Sequence, residues 1–457
     1  MDEFSRLLSD AAGRAAHYRA TVAERPVAGS VDEEALRARF GGPLPEGPSS
    51  PEVAVDRLVA AAEPGLVTST GPRFFGFVIG GASPASTAAD VLTSGWDQNG
   101  FMGVMSPAAR AAEAGAGTWV KELLGIPATA SCGFVTGSQE ANTIGLAAGR
   151  HHVLSAVGWD VARDGLQGAP RVRVVANAER HATIDRSLRL LGLGDGNLEL
   201  VDTDANGAVS VDALRRALDG ASGPVIVCLQ SGNVNTGACD DLRSACEAVH
   251  DVGGWAHVDG AFGLWASASP AYRHLNDGIE LADSWSTDAH KWLNVPYDAA
   301  FAMVSRPDVH SAATSYTAPY LMTSTGDPEM GDLVLSSSRR ARGFTVWAAI
   351  QELGRSGVAD LVDRCCTLAR RFADGLAAGG LEIANDVVLN QVLVGFGDDD
   401  RTDRVIAAIQ RDGTCWMGGT TWHGRRLMRI AVSNWSTTED DVDLSVEAIL
   451  RIAREEF

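Results

Sequence analysis

The pattern of apolar and polar positions changes near residue 106. Before it the chain is irregular, and the Pro/Gly-rich segment GGPLPEGPSSPE (41–52) is typical of a connection between an N-terminal helix and the body of the protein. From 106 to 304, short apolar runs typical of buried strands alternate with stretches of helical spacing. The predicted strands are GFVT (133–136), VRVVA (172–176), LELV (198–201), PVIVCL (224–229), WAHV (255–258), LADSWS (281–286) and AAFAMV (299–304).

Helices are predicted between these strands. The segment SPAARAAEAGAGTWVKELLG (106–125) is amphipathic and ends at Gly125, and further helices begin at Ser138, after His181 and near Ser210. Because strands and helices alternate, the pattern predicts an α/β fold with a mostly parallel sheet covered by helices on both faces.

The chain divides into three predicted parts. An N-terminal segment occupies 1–105 and a large domain with the parallel sheet occupies 106–318. The third part, 319–457, begins with a long loop rich in Ser, Thr, Gly and Pro, which is typical of a mobile lid. It continues through a long helix into a smaller C-terminal α+β domain.

Polar residues follow five of the predicted strands. In open α/β sheets, ligands bind outside the carboxyl ends of the strands. We therefore expect the groups that follow the strands to lie along one edge of the sheet. They are Gly137-Ser138-Gln139, His181, the segment QSGNVNTGACD (230–240), Asp259 and the pair His290-Lys291.

The composition and the missing motifs argue against several classes of partner and of active site. A net charge of -20 argues against nucleic acid and anionic membranes as partners, and no run of about 18 apolar residues predicts a membrane span. The seven cysteines form no CxxC pair, and the N-terminus lacks the layout of a signal peptide, so we expect reduced thiols in a cytoplasmic protein. No P-loop, GxSxG or HExxH motif is present, and no metal site is predicted.

Lysine is rare in this chain. Only Lys121 and Lys291 occur among 38 basic residues, so the remaining 36 (38 minus 2) are arginine. Lys121 falls on the helix at 106–125 and is interpreted as a solvated side chain. Arginine stays protonated near neutral pH, whereas a neutral lysine amine can condense with a carbonyl group. The lysine at 291, directly after His290, therefore predicts carbonyl chemistry.

The neighbours of Lys291 predict the rest of a cofactor site. Ser138 and Gln139 stand at a helix N-terminus, which either binds a phosphate or is an ordinary cap. Asp259 ends a buried strand and is either a capping residue or the partner of a protonated pyridine nitrogen. His181 either starts a helix or stacks on a flat ring. A phosphate, a pyridinium and an aldehyde that awaits a lysine together describe pyridoxal 5'-phosphate (PLP).

The motifs TGSQEAN (136–142), HVDGAFG (257–263) and HKW (290–292) point to a family. With them, the chain from about 70 to 435 resembles the group II PLP-dependent amino acid decarboxylases, which include aromatic amino acid, histidine and glutamate decarboxylases. The resemblance implies aminotransferase fold type I. It also implies that Lys291 is the Schiff-base lysine and that His290 neighbours the phosphate.

The resemblance assigns further residues. Asp259 matches the partner of the ring nitrogen, Ala261 packs on one face of the ring, and His181 stacks on the other. Tyr320, in the predicted mobile loop, matches the tyrosine that donates a proton. The family often has GTT where this chain has GNVNTG (232–237), so either Asn233 or Asn235 contacts the cofactor there, and Asn235 is the predicted residue.

The substrate side and the assembly are also implied. Phe77 and Phe101 fall on segments that line the substrate pocket in related enzymes, which favours an apolar or aromatic amino acid over glutamate. Arg73 is the nearest cation for an acidic substrate. The fold implies a homodimer in which RFFGFVIGG (73–81) or the 310–335 loop crosses between subunits.

The predicted activity is decarboxylation of an L-amino acid to an amine and CO2. An aminotransferase, a lyase or a decarboxylating aldehyde synthase of the same fold is the alternative, and Arg429 is a candidate for the carboxylate-binding arginine of an aminotransferase. A non-catalytic protein that keeps the fold is the second alternative. The lysine at 291 argues against it.

Overall fold

Seven strands form the central sheet of the computed structural model, which describes residues 2–29, 32–316 and 328–456. The sheet order is β1-β7-β6-β5-β4-β2-β3, in which β7 runs antiparallel to β1 and β6 and the other pairs are parallel. The predicted α/β fold with a mostly parallel sheet is confirmed. The strands are β1 Ser131–Val135, β2 Arg173–Asn177, β3 Leu198–Val201, β4 Val225–Gln230, β5 Trp255–Asp259, β6 Ser284–Asp288 and β7 Ala300–Val304.

Helices cover both faces of this sheet. Packed on one face is α6, which contacts β5, β6 and β7, whereas α10 packs on β4 and β5. Because helices bury both faces of the sheet, its inner strands do not alternate between buried and exposed positions. The helices of the described residues are α1 Glu3–Thr21, α2 Glu33–Phe40, α3 Pro51–Ala62, α4 Pro84–Trp96, α5 Pro107–Leu124, α6 Ser138–Ser155, α7 Val161–Asp164, α8 Ala182–Leu190, α9 Val211–Leu218, α10 Leu242–Asp251, α11 Pro307–Thr314, α12 Gly343–Ala378, α13 Asp399–Asp412 and α14 Glu439–Glu455.

Short 3₁₀ turns join several of these elements. A break at Gly354, where φ is 59°, divides α12 into two helical segments. The 3₁₀ turns are Val22–Glu24, Glu63–Gly65, Asp195–Asn197, Gly263–Ala268, Arg273–Asn276, Ile279–Leu281 and Met330–Leu333.

The first hundred residues contain more helix than the sequence predicted. The expectation of one helix followed by irregular chain was wrong, because α1 to α4 all lie there. In α1, α2 and α3 no residue is buried within this chain. These helices therefore lack the single buried apolar face on which recognition of a helix in a sequence depends.

A second, antiparallel sheet lies near the C-terminus, in the order β10-β11-β9-β8. The N-terminal segment 73–81 joins it, since Phe75 N–H donates to Trp416 O and Phe75 O accepts from Ala431 N–H. No helix in the described ranges is long and apolar enough to cross a membrane. The strands are β8 Glu382–Ile383, β9 Gln391–Gly395, β10 Gly418–Trp422 and β11 Arg425–Ala431.

Candidate active site

The carboxyl ends of β5 and β6 and the N-terminus of α6 meet at one edge of the central sheet. Asp259 ends β5, Asp288 ends β6 and Ser138 begins α6. Three residues beyond Asp288, Lys291 places its Nζ 2.9 Å from Asp288 Oδ2. The groups that the sequence placed after separate strands therefore do converge.

Asp288 joins the lysine to the helix N-terminus. Its Oδ1 accepts the Ser138 N–H at 2.6 Å and lies 3.6 Å from His290 Nε2, and the residue is only 2% exposed. Burial would raise the pKa of this carboxyl, but the charge of Lys291, the electrostatic interaction with the His290 ring and the hydrogen bonds from Lys291 and Ser138 outweigh it, so the pKa is lowered. Asp288 is thus a buried carboxylate in its ionised form.

His290 is a neutral neighbour of that carboxylate. Burial lowers the pKa of its imidazole. Its Nδ1 accepts the Ala299 N–H at 3.2 Å, so the ring proton resides on Nε2, the nitrogen that faces Asp288. The ring also lies 4.4 Å from that of Tyr297, between centroids.

Asp259 is the second buried carboxylate at this edge. It is 5% exposed, and its Oδ2 accepts from Asn142 Nδ2 at 3.0 Å and Thr183 Oγ1 at 3.5 Å. Its Oδ1 accepts from the Ala261 N–H at 3.3 Å and lies 3.4 Å from Ser286 Oγ. All these partners are neutral, so a buried anion remains for a cationic ligand to pair with.

A buried histidine fixes the orientation of Asn142. Asn142 Oδ1 accepts from His257 Nε2 at 2.9 Å and Ser286 Oγ at 2.5 Å, so its Nδ2 must face Asp259. Burial lowers the pKa of His257 to about 4, which keeps it neutral, and its Nδ1 is 2.8 Å from Ser284 Oγ. Neither Asn142 nor His257 was among the predicted site residues.

His181 caps α8 beside this network. Its Nδ1 accepts the Thr183 N–H at 3.3 Å and lies 2.9 Å from Thr183 Oγ1. The imidazole remains accessible to solvent, yet desolvation by the protein around it lowers its pKa. Lys291 and Arg429 lower that pKa further, while Asp259 and Asp288 oppose them, so the cluster reaches His181 electrostatically.

Arg429, on β11, is a cation without a carboxylate partner among the described residues. Its Nη1 donates to Val234 O at 3.0 Å and its Nη2 to Phe77 O at 3.3 Å. Burial lowers its pKa to about 10, which still leaves it charged at neutral pH. By contrast, Arg73 is bonded to Thr414 O, Asp441 and Ala23 O, so it is not available to a substrate.

Asn294 holds the lysine segment against two distant parts of the chain. Its Oδ1 accepts from Gly81 N–H at 2.6 Å and Trp435 N–H at 2.9 Å, and its Nδ2 donates to Ser433 O at 2.9 Å. A Cβ at Gly80 would lie 2.1 Å from Lys291 O, so only glycine permits this approach. The sequence predicted that residues of 73–81 lie near the substrate but gave no sign of this contact with the lysine segment.

The N-terminus of α6 fits a phosphate group. Ser138 Oγ is buried and has no hydrogen-bond partner, and it stands beside the first free amides of the helix. Gln139 differs from the prediction in its side chain, which donates to Ser187 Oγ at 3.0 Å and Thr183 O at 3.3 Å. Only its backbone N–H remains to be offered to the phosphate, together with the unpaired Ser138 hydroxyl and the backbone of Gly137.

The asparagines of the segment 232–237 have other partners. Asn233 is buried, and its Nδ2 donates to Glu179 O and Gln230 Oε1. Asn235 Oδ1 accepts from Thr420 Oγ1 at 2.8 Å, which ties it to β10. The predicted contact of Asn235 with the cofactor therefore has no support in its side-chain hydrogen bonds, although its neighbour Val234 holds Arg429.

The predicted aromatic residues lie at two places. Phe77 has a φ of 58°, stacks on Trp416 at 5.7 Å and is 61% exposed, and its carbonyl holds Arg429. Phe101 stacks on Tyr316 at 6.3 Å, and its carbonyl accepts from Gly331. None of these contacts of Phe101 is with the Lys291 cluster. Tyr320 lies outside the described residues.

Two signals in the sequence would have found more of the site. Asn142 stands four residues after Ser138, so both face the sheet from the same side of α6. His257 stands two residues before Asp259, which places both side chains on the same face of β5.

Lys121, interpreted as solvated, instead donates to Ala128 O and Ala130 O, both at 2.7 Å.

The fold and this site define a PLP-dependent enzyme of aminotransferase fold type I. The residues fit the cofactor because an unsatisfied serine hydroxyl, a buried carboxylate with neutral partners and a lysine amine converge. Residues 45–396 match the model of the pyridoxal-dependent decarboxylase conserved domain. The chain belongs to the pyridoxal-dependent decarboxylase family, and its cofactor is PLP.

Known relatives agree with this assignment. An aromatic-L-amino-acid decarboxylase of Bacillus atrophaeus is 27% identical over 355 residues, which cover 76% of this chain and 72% of the relative. A 4-hydroxyphenylacetaldehyde synthase of Rhodiola rosea is 27% identical over 373 residues, covering 79% and 75%. The crystal structure of Oryza sativa TDC with PLP and tryptamine has the same fold, with a TM-score of 0.92, 23% identity and coverage of 99% and 98%.

Proposed function

We propose that this enzyme removes the carboxylate of an apolar or aromatic L-amino acid as CO2 and releases the corresponding amine. The observation that carries the proposal is that Lys291, paired with Asp288, and Asp259, a buried carboxylate whose partners are all neutral, follow or end the adjacent parallel strands β6 and β5 at the same edge of the sheet. The relatives named as aromatic amino acid decarboxylases support the choice of substrate class.

Each residue of the site has a separate role in this proposal. When bound, PLP supplies an aldehyde for an amine and a pyridinium ring that draws electrons from the bond broken at the substrate Cα. In this proposal Asp259 holds the proton on the ring nitrogen, and Asn142 keeps Asp259 in place. His181 and Ala261 would cover the two faces of the ring, and Lys291 would provide the amine.

The substrate is held by its two ends. Arg429, charged and without a carboxylate partner among the described residues, pairs with the α-carboxylate. Phe77 provides apolar surface beside it. Because Arg73, the nearest cation for an acidic substrate, is committed to Asp441 and two carbonyls, it is not free to pair with an acidic side chain, which favours an apolar or aromatic substrate.

A homodimer completes the proposal. The helices α1 to α3 have no buried residue within the chain, and an apolar groove between α4 and α12 exposes Leu92 (50%), Trp96 (50%) and Trp347 (42%). A second copy of this chain would cover these surfaces. Phe101, whose contacts lie away from Lys291, would then serve the site of the partner. A cytoplasmic location stays a prediction, in keeping with seven free thiols.

The test uses the full-length protein with PLP. We expect an amine and CO2 in equal amounts from apolar or aromatic members of the twenty amino acids, and borohydride reduction should place the pyridoxyl group on Lys291 in peptide mass analysis. A 2-oxo acid product would indicate an aminotransferase instead. Turnover of glutamate or aspartate alone, or labelling at Lys121, would contradict the proposal.

The nearest alternative is an aldehyde synthase, since one relative carries that name. Loss of CO2 leaves a carbanion at Cα, and a proton from Tyr320 would end the reaction as an amine. We expect Tyr320→Phe to keep PLP binding and CO2 release while amine yield falls at least tenfold. In its place an aldehyde should form, with O2 reduced to hydrogen peroxide and ammonia released. An unchanged amine yield would assign the proton to another group, with His181 next.

A further inference from the structure

An internal carboxylate occupies the phosphate end of the site. Asp288 Oδ1 accepts the Ser138 N–H at 2.6 Å, and Ser138 is the first of the 18 residues of α6. Beside it, Ser138 Oγ is buried without a partner. At the helix N-terminus, the Ser138 amide is therefore already hydrogen-bonded, whereas the Ser138 hydroxyl is still free to bind a ligand.

The same carboxylate holds the reactive amine. Lys291 Nζ lies 2.9 Å from Asp288 Oδ2, in a pair of which Asp288 is almost wholly buried. Only a neutral amine condenses with an aldehyde. The ion pair must therefore open, and its proton must leave Lys291, before the cofactor can be attached.

We propose that Asp288 is a positioning residue that stands in for the cofactor: before PLP binds, it pairs with Lys291 and takes the Ser138 amide, and an incoming phosphate must displace it. Two facts follow. The phosphate and Asp288 carry like charges and compete for the same donors, so the carboxylate weakens binding of the phosphate group. It also keeps the partly buried lysine in place while no cofactor is bound, since removing one partner of the ion pair would leave the almost wholly buried Asp288 charge uncompensated. The inference rests on the proposed role of Lys291.

Asp288→Asn separates this role from a merely structural one. The neutral amide can still accept from Ser138 but neither repels a phosphate nor pairs with an ammonium. We expect the full-length protein, freed of PLP with hydroxylamine and dialysed, to bind inorganic phosphate at least tenfold more tightly as the variant than as wild type. Capture of PLP, followed by absorbance, should be faster by a similar factor. Damage to the site would change both in the opposite direction.

Two controls make the result decisive. Asp283→Asn removes a carboxylate just before the other end of β6, where it pairs with His250, and should leave phosphate binding unchanged. If Asp288→Asn does not fold by circular dichroism, Asp288→Ser poses the same question with a smaller neutral acceptor. If a folded neutral variant binds phosphate no better than wild type, Asp288 is not displaced by the phosphate. A wild-type chain that forms no borohydride-reducible bond at Lys291 would instead contradict the proposed function.

Discussion

Lysine and arginine differ in a property that matters at position 291. An amine can lose its proton and attack a carbonyl, whereas a guanidinium stays charged and holds carboxylates through paired hydrogen bonds. This site uses one of each, Lys291 facing Asp288 and Arg429 lacking any carboxylate partner in the described part of the chain. The first suits covalent chemistry, and the second suits recognition of the substrate.

The role of Arg429 can be isolated by comparing substrate with product. We expect Arg429→Met to raise KM for the amino acid by roughly 10- to 100-fold, because a charge-assisted hydrogen bond contributes about 1.5–3 kcal/mol. Inhibition by the amine product, which has no carboxylate, should change little. Arg425→Met, on the same strand but paired with Glu382 at the surface, serves as the control. Equal loss of affinity for amino acid and amine would exclude a carboxylate contact.

At the scale of elements, the sequence predicted the strands well and their directions less well. All seven predicted runs became strands, with ends that differ by a few residues. The apolar run of β7 does not reveal that it is antiparallel, because such a run reads the same in either direction; the signal for its direction is the length of the connection before it. The short connection 289–299, which carries Lys291, permits an antiparallel pair but is too short for a helical crossover.

The site was predicted to the extent that strand ends define it. Asp259, Lys291, Ser138 and His181 follow strands, and the topology brought them together. The partners of Gln139 and Asn235 depend instead on how α6 meets α8 and how the segment 232–237 meets β10. Contacts of that kind arise between distant parts of the chain, and local patterns of residues do not encode them.

The close approach of segment 73–81 to the lysine is open to a direct test. In Gly80→Ala the new Cβ would lie 2.1 Å from Lys291 O and 3.0 Å from Asn294 Cα, both backbone atoms, so one segment must move. We expect PLP affinity to fall at least tenfold, measured by absorbance titration. Gly115→Ala on α5, where a Cβ meets nothing within 4 Å, is the matched control. Unimpaired binding in the Gly80 variant would show that the seat of Lys291 tolerates displacement.

At the scale of the whole molecule, the exposed apolar groove predicts how copies associate. Burying a large apolar side chain contributes about 1.5–3 kcal/mol, so Trp347→Glu should weaken dimerisation by roughly 10- to 100-fold or more. Analytical ultracentrifugation over a range of concentrations measures this, with Leu444→Glu on α14 as an equally exposed control. We expect PLP-dependent activity to fall with the dimer. A wild-type protein that is a fully active monomer would contradict the assembly.

The amide of Asn294 has a consequence for how the enzyme is made. It joins the lysine segment to Gly81, which is synthesised much earlier, and to Trp435, which lies 141 residues further along. A growing chain therefore has its reactive amine long before it has the backbone that seats it. The backbone that positions Lys291 is therefore complete only once residue 435 has been synthesised, so the cofactor meets a fully formed site only after that point.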